Sequence, residues 1–128
     1  MGSSKDYQSL KSMIMARDWF YQYQLPCGEK VPLSVSPETT IIHDTRWSMA
    51  QLELDRTFGN QLSTSTAIDL SCHQGFFSFE LAKCCNSVTG VDINSQNIED
   101  AKLMQTALGA EKINFVNSSI FELGNTDV

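Results

Sequence analysis

Two carboxylates in this sequence stand where a sheet could use them. Asp69 lies near the end of the apolar run TAIDL and is followed by the polar turn SCHQG, while Asp92 ends VTGVD, 17 positions after Gly75. Small side chains between a strand and a helix let backbone come close to a ligand, and Gly75 can reach conformations that other residues avoid. The N-terminus of the next helix would favour a phosphate, but an acid facing the turn would repel one, so the chemistry favours a cationic ligand. An ionised acid roughly 20 positions beyond such a turn can accept from both hydroxyls of a ribose. Asp69, the turn and Asp92 together describe a site for a nucleoside that carries positive charge.

Elements that could place these groups follow one another from residue 66. The apolar patterning predicts strands over 66–70, 87–93 and 113–117 and helices over 76–85 and 95–108, the last ending at Gly109. Strands alternating with helices at this spacing mean a parallel sheet with right-handed crossovers, an α/β fold. Ligands of such sheets lie beyond the carboxyl ends of the strands, which is where Ser71 to Gly75 falls. Upstream, residues 5–18 carry a helical pattern, and WFYQYQLPCGEKVPL reads as a hairpin with Trp19, Tyr21 and Tyr23 in its core. A helix over 44–58 follows, capped by Asp44 or Thr45 and stopped by Gly59 and Asn60. The expected organisation is an accessory region, 1–60, ahead of a cofactor-binding region, 61–128.

Bulk properties narrow the partners. At 128 residues, 41% hydrophobic and 19% charged, the chain supports one core, and no apolar run approaches the roughly 20 residues that cross a bilayer. The net charge of −6, the pI near 4.7 and nine scattered basic residues argue against a nucleic-acid partner. Cys27, Cys72, Cys84 and Cys85 show neither a C-x-x-C pair nor zinc spacing, and no secretory signal precedes them, which points to reduced thiols in a cytoplasm. Cys84 and Cys85 read as small buried thiols of a helix. Cys72 beside His73, without further ligands, predicts no metal.

The run IDLSCHQGFFSFELA, then GVDIN, then INFVNSSIFEL resembles the first three strand ends of class I S-adenosylmethionine-dependent methyltransferases, whose first motif reads roughly D-x-G-x-G-x-G. This resemblance implies a Rossmann-like sheet that takes S-adenosylmethionine as cofactor. It places Asp69, Ser71, Cys72, His73 and Gly75 around the methionine part, Asp92 on the ribose and Ile93 against the adenine. Ser118, Ser119 and Ile120 fall on the third motif, roughly G-D-A in the family, so Ser119 stands where an acid is usual. Ser71 and His73 replace the first two glycines of the first motif.

WFYQYQLPCGEKVPL with IIHDTRWSM loosely resembles the lead-in of methyltransferases related to those acting on the tRNA wobble uridine. The implied activity is methyl transfer to a small-molecule acceptor, with Trp19 and Arg46 as candidate substrate contacts. No catalytic residue is named, because the family carries most substrate groups on strands four to seven and this chain ends, at GNTDV, on the threshold of strand four. A sheet cut there leaves an unpaired edge and an uncovered apolar flank on the first strand, which predicts dimerisation, poor stability or a missing partner segment. Three other readings stand beside this one: a catalytically inactive nucleoside-binding or regulatory module, a fragment of a tRNA-modifying enzyme, and a fragment of an NAD-dependent dehydrogenase. The missing glycine triplet and the acid at strand one speak against the last.

Overall fold

A computed structural model describes residues 4–125, so 1–3 and the last three residues of GNTDV lie outside the described part. Its centre is a parallel sheet of three strands, β1 (Thr66–Leu70), β2 (Ser87–Asp92) and β3 (Ile113–Asn117), in the order β1-β2-β3. Register runs from Thr66 opposite Ser87 to Leu70 opposite Val91, and from Val88 opposite Ile113 to Asp92 opposite Asn117. The α/β class expected from the alternation and the Rossmann-like sheet that the resemblance implies are both observed.

Among the described residues there are four α-helices: α1 (Ser4–Met15), α2 (Pro37–Phe58), α3 (Phe76–Ala82) and α4 (Ser95–Leu108). Two crossovers of one hand that advance across the sheet in one direction put α3 and α4 on the same face. There α3 touches all three strands, α4 packs on β2 and β3, and α1 lies against α4. Helix α4 has the ends its sequence announces. The Asn94 side chain caps the Asn97 amide at 3.0 Å, and Gly109 closes the helix with φ 64°.

Helix α1 ends at Met15 rather than 18 and β2 at Asp92 rather than 93, and three larger departures from the sequence reading have local reasons. Helix α2 begins at Pro37 rather than at 44, because Ser36-Pro37-Glu38 is itself a start signal: proline at the first position lacks an amide that would have no partner anyway. Asp44 and Thr45 therefore lie inside the helix. Helix α3 stops at Ala82 rather than at Cys85, since the amides of Cys84 and Cys85 both turn back to the Leu81 carbonyl. All four cysteines are free thiols. The expected hairpin reduces to isolated bridges, Trp19 with Leu33 and Gln24 with Lys30. Pro26 and Pro32 remove the donors that a continuous ladder would need.

One apolar cluster runs through both halves of the chain, joining Trp19, Tyr21, Tyr23 and Val31 to Phe79, Val88, Met104 and Phe115. The opposite face is barer. On the edge strand β1, Ile68 and Leu70 are about half exposed, and α2 contributes one buried residue, His43, while Ile41, Met49 and Leu52 face outward. Among the described residues no helix is long and apolar enough to cross a membrane.

Candidate cofactor site

Both acids sit at the carboxyl end of the sheet on one face. Asp69 is opposite Gly90 in the β1–β2 register, and Asp92 is two residues beyond Gly90 on the same strand. Side chains two apart on a strand share a face, and cross-strand partners do too, so the two carboxylates point to the same side. With strands about 4.8 Å apart and a rise of about 3.3 Å per residue, their Cα atoms are roughly 8 Å apart. They also sense each other electrostatically, the charge of Asp92 helping to raise the pKa of Asp69.

Each acid is held by neighbours, of which sequence reasoning singled out only His73. Ser78, fully buried in α3, donates from Oγ to Asp69 Oδ2 at 2.7 Å. Asp92 accepts from two backbone amides, His73 N–H at Oδ2 and Asn94 N–H at Oδ1, both at 2.8 Å. Asn117 Nδ2 donates to the carbonyls of Asp92 and Ile93 at 3.0 Å, tying the exit of β2 to the end of β3. A polar residue at the end of each strand was the available signal for Asn117; for Ser78 there was none.

Burial is the main cause that lifts the Asp69 carboxyl above its ordinary 3.8, with the Ser78 hydrogen bonds pulling the other way. Folding thus disfavours the ionised form relative to the unfolded chain. This group's contribution to stability is complete below about pH 3.8 and is lost as pH rises through the raised value. A carboxyl-carbon NMR titration should find the Asp69 midpoint above 3.8, and a midpoint at or below it would contradict this account.

Between the acids runs the turn. Ser71 (φ 60°) and His73 (φ 55°) both take left-handed backbone, a conformation that costs a non-glycine residue roughly 1–2 kcal/mol. The Cys72 amide donates to Val91 O at 2.9 Å and pins the turn to β2. The Cys72 side chain is buried, and burial pushes its thiol up to about 12. Ser71 is exposed, and Gly75 (φ 94°) lies beneath, where a Cβ would come within 2.8 Å of Phe115. The His73 ring turns toward the segment before α2, 5.0 Å from Phe20 and 5.4 Å from Tyr21, with its Nδ1 buried and unpartnered. Burial lowers its pKa.

Beyond the acids, Ile93 is 75% exposed and Ile120 49%, two apolar side chains that follow the ends of β2 and β3. Ser119, just before Ile120, accepts from the Phe121 amide at 3.2 Å. Of the two candidate substrate contacts, Trp19 lies at 0% exposure, its Nε1 donating to Ile14 O at 2.8 Å, so its ring is core and has no surface to offer a substrate. Arg46 is exposed on α2; burial lowers the pKa of His43 and the Arg46 charge adds to that, while at Tyr21 the same charge opposes a rise. Burial outweighs it at Tyr21, whose hydroxyl is pushed up to about 12, the charge of Asp69 adding to the rise.

Comparison with known proteins fits this geometry. The family described as a methyltransferase domain matches residues 62–128. No curated protein matches the chain. Among solved structures, the N-terminal domain of EvdMO1 with SAH bound is similar over 99% of this chain and 49% of its own, with 13% identity and a TM-score of 0.66. Magnesium protoporphyrin IX methyltransferase from Synechocystis PCC 6803 with bound SAH is 22% identical over 67% of this chain and 41% of its own, TM-score 0.57. The ribosomal protein L11 methylase of Lactobacillus delbrueckii subsp. bulgaricus is 21% identical over 66% of this chain and 41% of its own, TM-score 0.52. The chain therefore spans less than half the length of each, and at these identities the likeness is one of fold. With its strand-end acids, its turn and a family match over residues 62–128, the chain belongs to the methyltransferase-domain family.

Proposed function

We propose that the chain binds S-adenosylmethionine at the carboxyl end of its sheet and serves methyl transfer to a small-molecule acceptor. The observation that carries this reading is the placement of Asp69 and Asp92 on one face of neighbouring strand ends with the 71–75 turn between them. The donor set suits the cofactor. A carboxylate oxygen has two acceptor positions, so each oxygen of Asp92 can take a ribose hydroxyl beside the amide it already holds. Asp69, Ser71, Cys72 through its backbone, His73 and Gly75 would flank the methionine part. Ile93, Ser119 and Ile120 would meet the adenine.

When bound, the cofactor supplies an electrophilic methyl on sulfur; the protein's share is to bind, orient and shield, and positioning can account for most of such catalysis. Asp69 would pair with the ligand's ammonium. In this reading residues 1–60 form the accessory cover and 61–128 the cofactor region, and reduced thiols suit a cytoplasmic setting. The net charge of −6 favours a small acceptor over an RNA one, and the likeness of the lead-in to tRNA-modifying relatives is the ground for the RNA alternative. Ser71 and His73, side chains where the family has glycine, favour a second reading, a nucleoside-binding module without catalysis.

Calorimetry with S-adenosylmethionine, S-adenosylhomocysteine and NAD tests the cofactor assignment. The first two should bind and NAD should not. In the carboxyl NMR titration, S-adenosylhomocysteine should also draw the Asp69 midpoint downward. Binding of NAD alone, or of none of the three, would remove the proposal.

A further inference from the structure

One buried side chain of the turn binds the segment that precedes the sheet. Gln74 is 2% exposed, and every polar atom of its side chain is engaged. Oε1 accepts from the Phe20 amide at 2.8 Å, and Nε2 donates to the Asp18 carbonyl at 2.8 Å and to Asp100 Oδ2 at 2.9 Å. Its backbone carbonyl accepts from Tyr23 Oη at 3.0 Å. Asp100, 4% exposed on α4, takes Gln96 Nε2 at 2.9 Å and the Arg17 guanidinium at 3.3 Å on its other oxygen. Segment 17–23 is thus gripped through a side chain, a carbonyl, an amide and a hydroxyl, all by Gln74 and its partner Asp100.

Where that segment is held decides what covers the turn. The Phe20 ring lies tilted against His73 with centroids 5.0 Å apart, Tyr21 lies parallel to Phe76 at 5.2 Å, and the His73 amide binds Asp92. A buried amide left unpaired costs more than the hydrogen bond is worth, so this connection fixes a single placement of the segment. We infer that Gln74 is a positioning residue: it sets Phe20 and Tyr21 against His73 and so shapes the methionine end of the cofactor site, while leaving the nucleoside end to Asp92 and Ile93. This rests on the cofactor reading proposed above.

Comparing two ligands separates positioning from general loss of structure. Adenosine uses only the nucleoside end; S-adenosylhomocysteine uses both. Gln74→Met, similar in length and without hydrogen-bonding capacity, should weaken S-adenosylhomocysteine about tenfold in calorimetry and leave adenosine within about twofold. Equal loss of both would overturn the inference, as would no loss of either.

Because Gln74→Met leaves buried groups unpaired, a second pair of variants guards against failure to fold. Q74E sets a carboxylate against Asp100, whereas Q74E/D100N restores a donor, since the amide introduced at position 100 can bond the carboxylate introduced at 74. S-adenosylhomocysteine should bind the double variant more tightly than Q74E; the reverse order would also overturn the inference. If the unmodified chain binds neither ligand, the cofactor reading fails by itself. Amide exchange then judges Gln74: residues 18–23 should exchange faster in Q74E than in the unmodified chain while β2 and β3 stay protected, and unchanged exchange at 18–23 would refute the clamp.

Discussion

Asp92→Ala should weaken S-adenosylhomocysteine binding by about two orders of magnitude, the largest effect on affinity expected from a single change in this chain. Two ribose hydroxyls would lose a charged acceptor, and hydrogen bonds to charged groups contribute about 1.5–3 kcal/mol each. The same substitution strips an acceptor from the His73 amide and from Asn94, the residue that caps α4. Stability should therefore fall by about 1–3 kcal/mol, with water taking over at the more exposed Asn94. Asp92→Asn retains one acceptor oxygen and should lie between the two. Calorimetry and urea unfolding of the three proteins check this; an affinity of Asp92→Ala within about twofold of the unmodified chain would detach Asp92 from the ribose.

Gly75→Ala should be the most destabilising change in the turn, by about 2–5 kcal/mol, for two separable reasons. At φ 94° any side chain is strained, and the added Cβ would lie 2.8 Å from Phe115 Cζ and 3.1 Å from Phe79 Cε2. Gly28 isolates the first cause, having φ 95° and nothing within 4 Å of a built Cβ, so Gly28→Ala should cost only about 1–2 kcal/mol. Combining Gly75→Ala with Phe115→Leu should cost less than the sum of the two, because the smaller side chain yields the contested space. Against a total stability of about 5–15 kcal/mol, the Gly75→Ala loss is readable in thermal or urea unfolding. Equal costs at positions 75 and 28 would show that Phe115 does not press on the turn.

The elements that carry the site were legible wherever local patterning decides the outcome. Strands β1 and β3 and helix α4 fall on the residues that apolar patterning and Gly109 mark. The start of α2 is equally written, in Ser36 and Pro37, although the apolar spacing marks a helix only from residue 44. Trp19 shows the opposite limit. A tryptophan in an aromatic stretch looks the same on paper whether it greets a substrate or fills a core, and only the packing of Ile14 and Tyr23 around it decides for the core.

The sequence by itself determined that Asp69 and Asp92 stand near the carboxyl ends of two strands of a parallel sheet, because strand–helix alternation and right-handed crossovers follow from backbone sterics, whereas the register that puts both acids on one face belongs to the structure. Nor did the sequence determine who holds them. Ser78 reaches Asp69 from the helix packed beneath, and Gln74 spans 54 positions to Phe20 and 26 to Asp100. Such partners depend on how helices and loops settle against one another, a global packing solution in which buried donors and acceptors must all find each other at once. Local periodicity carries no information about that, and tertiary structure alone supplies it.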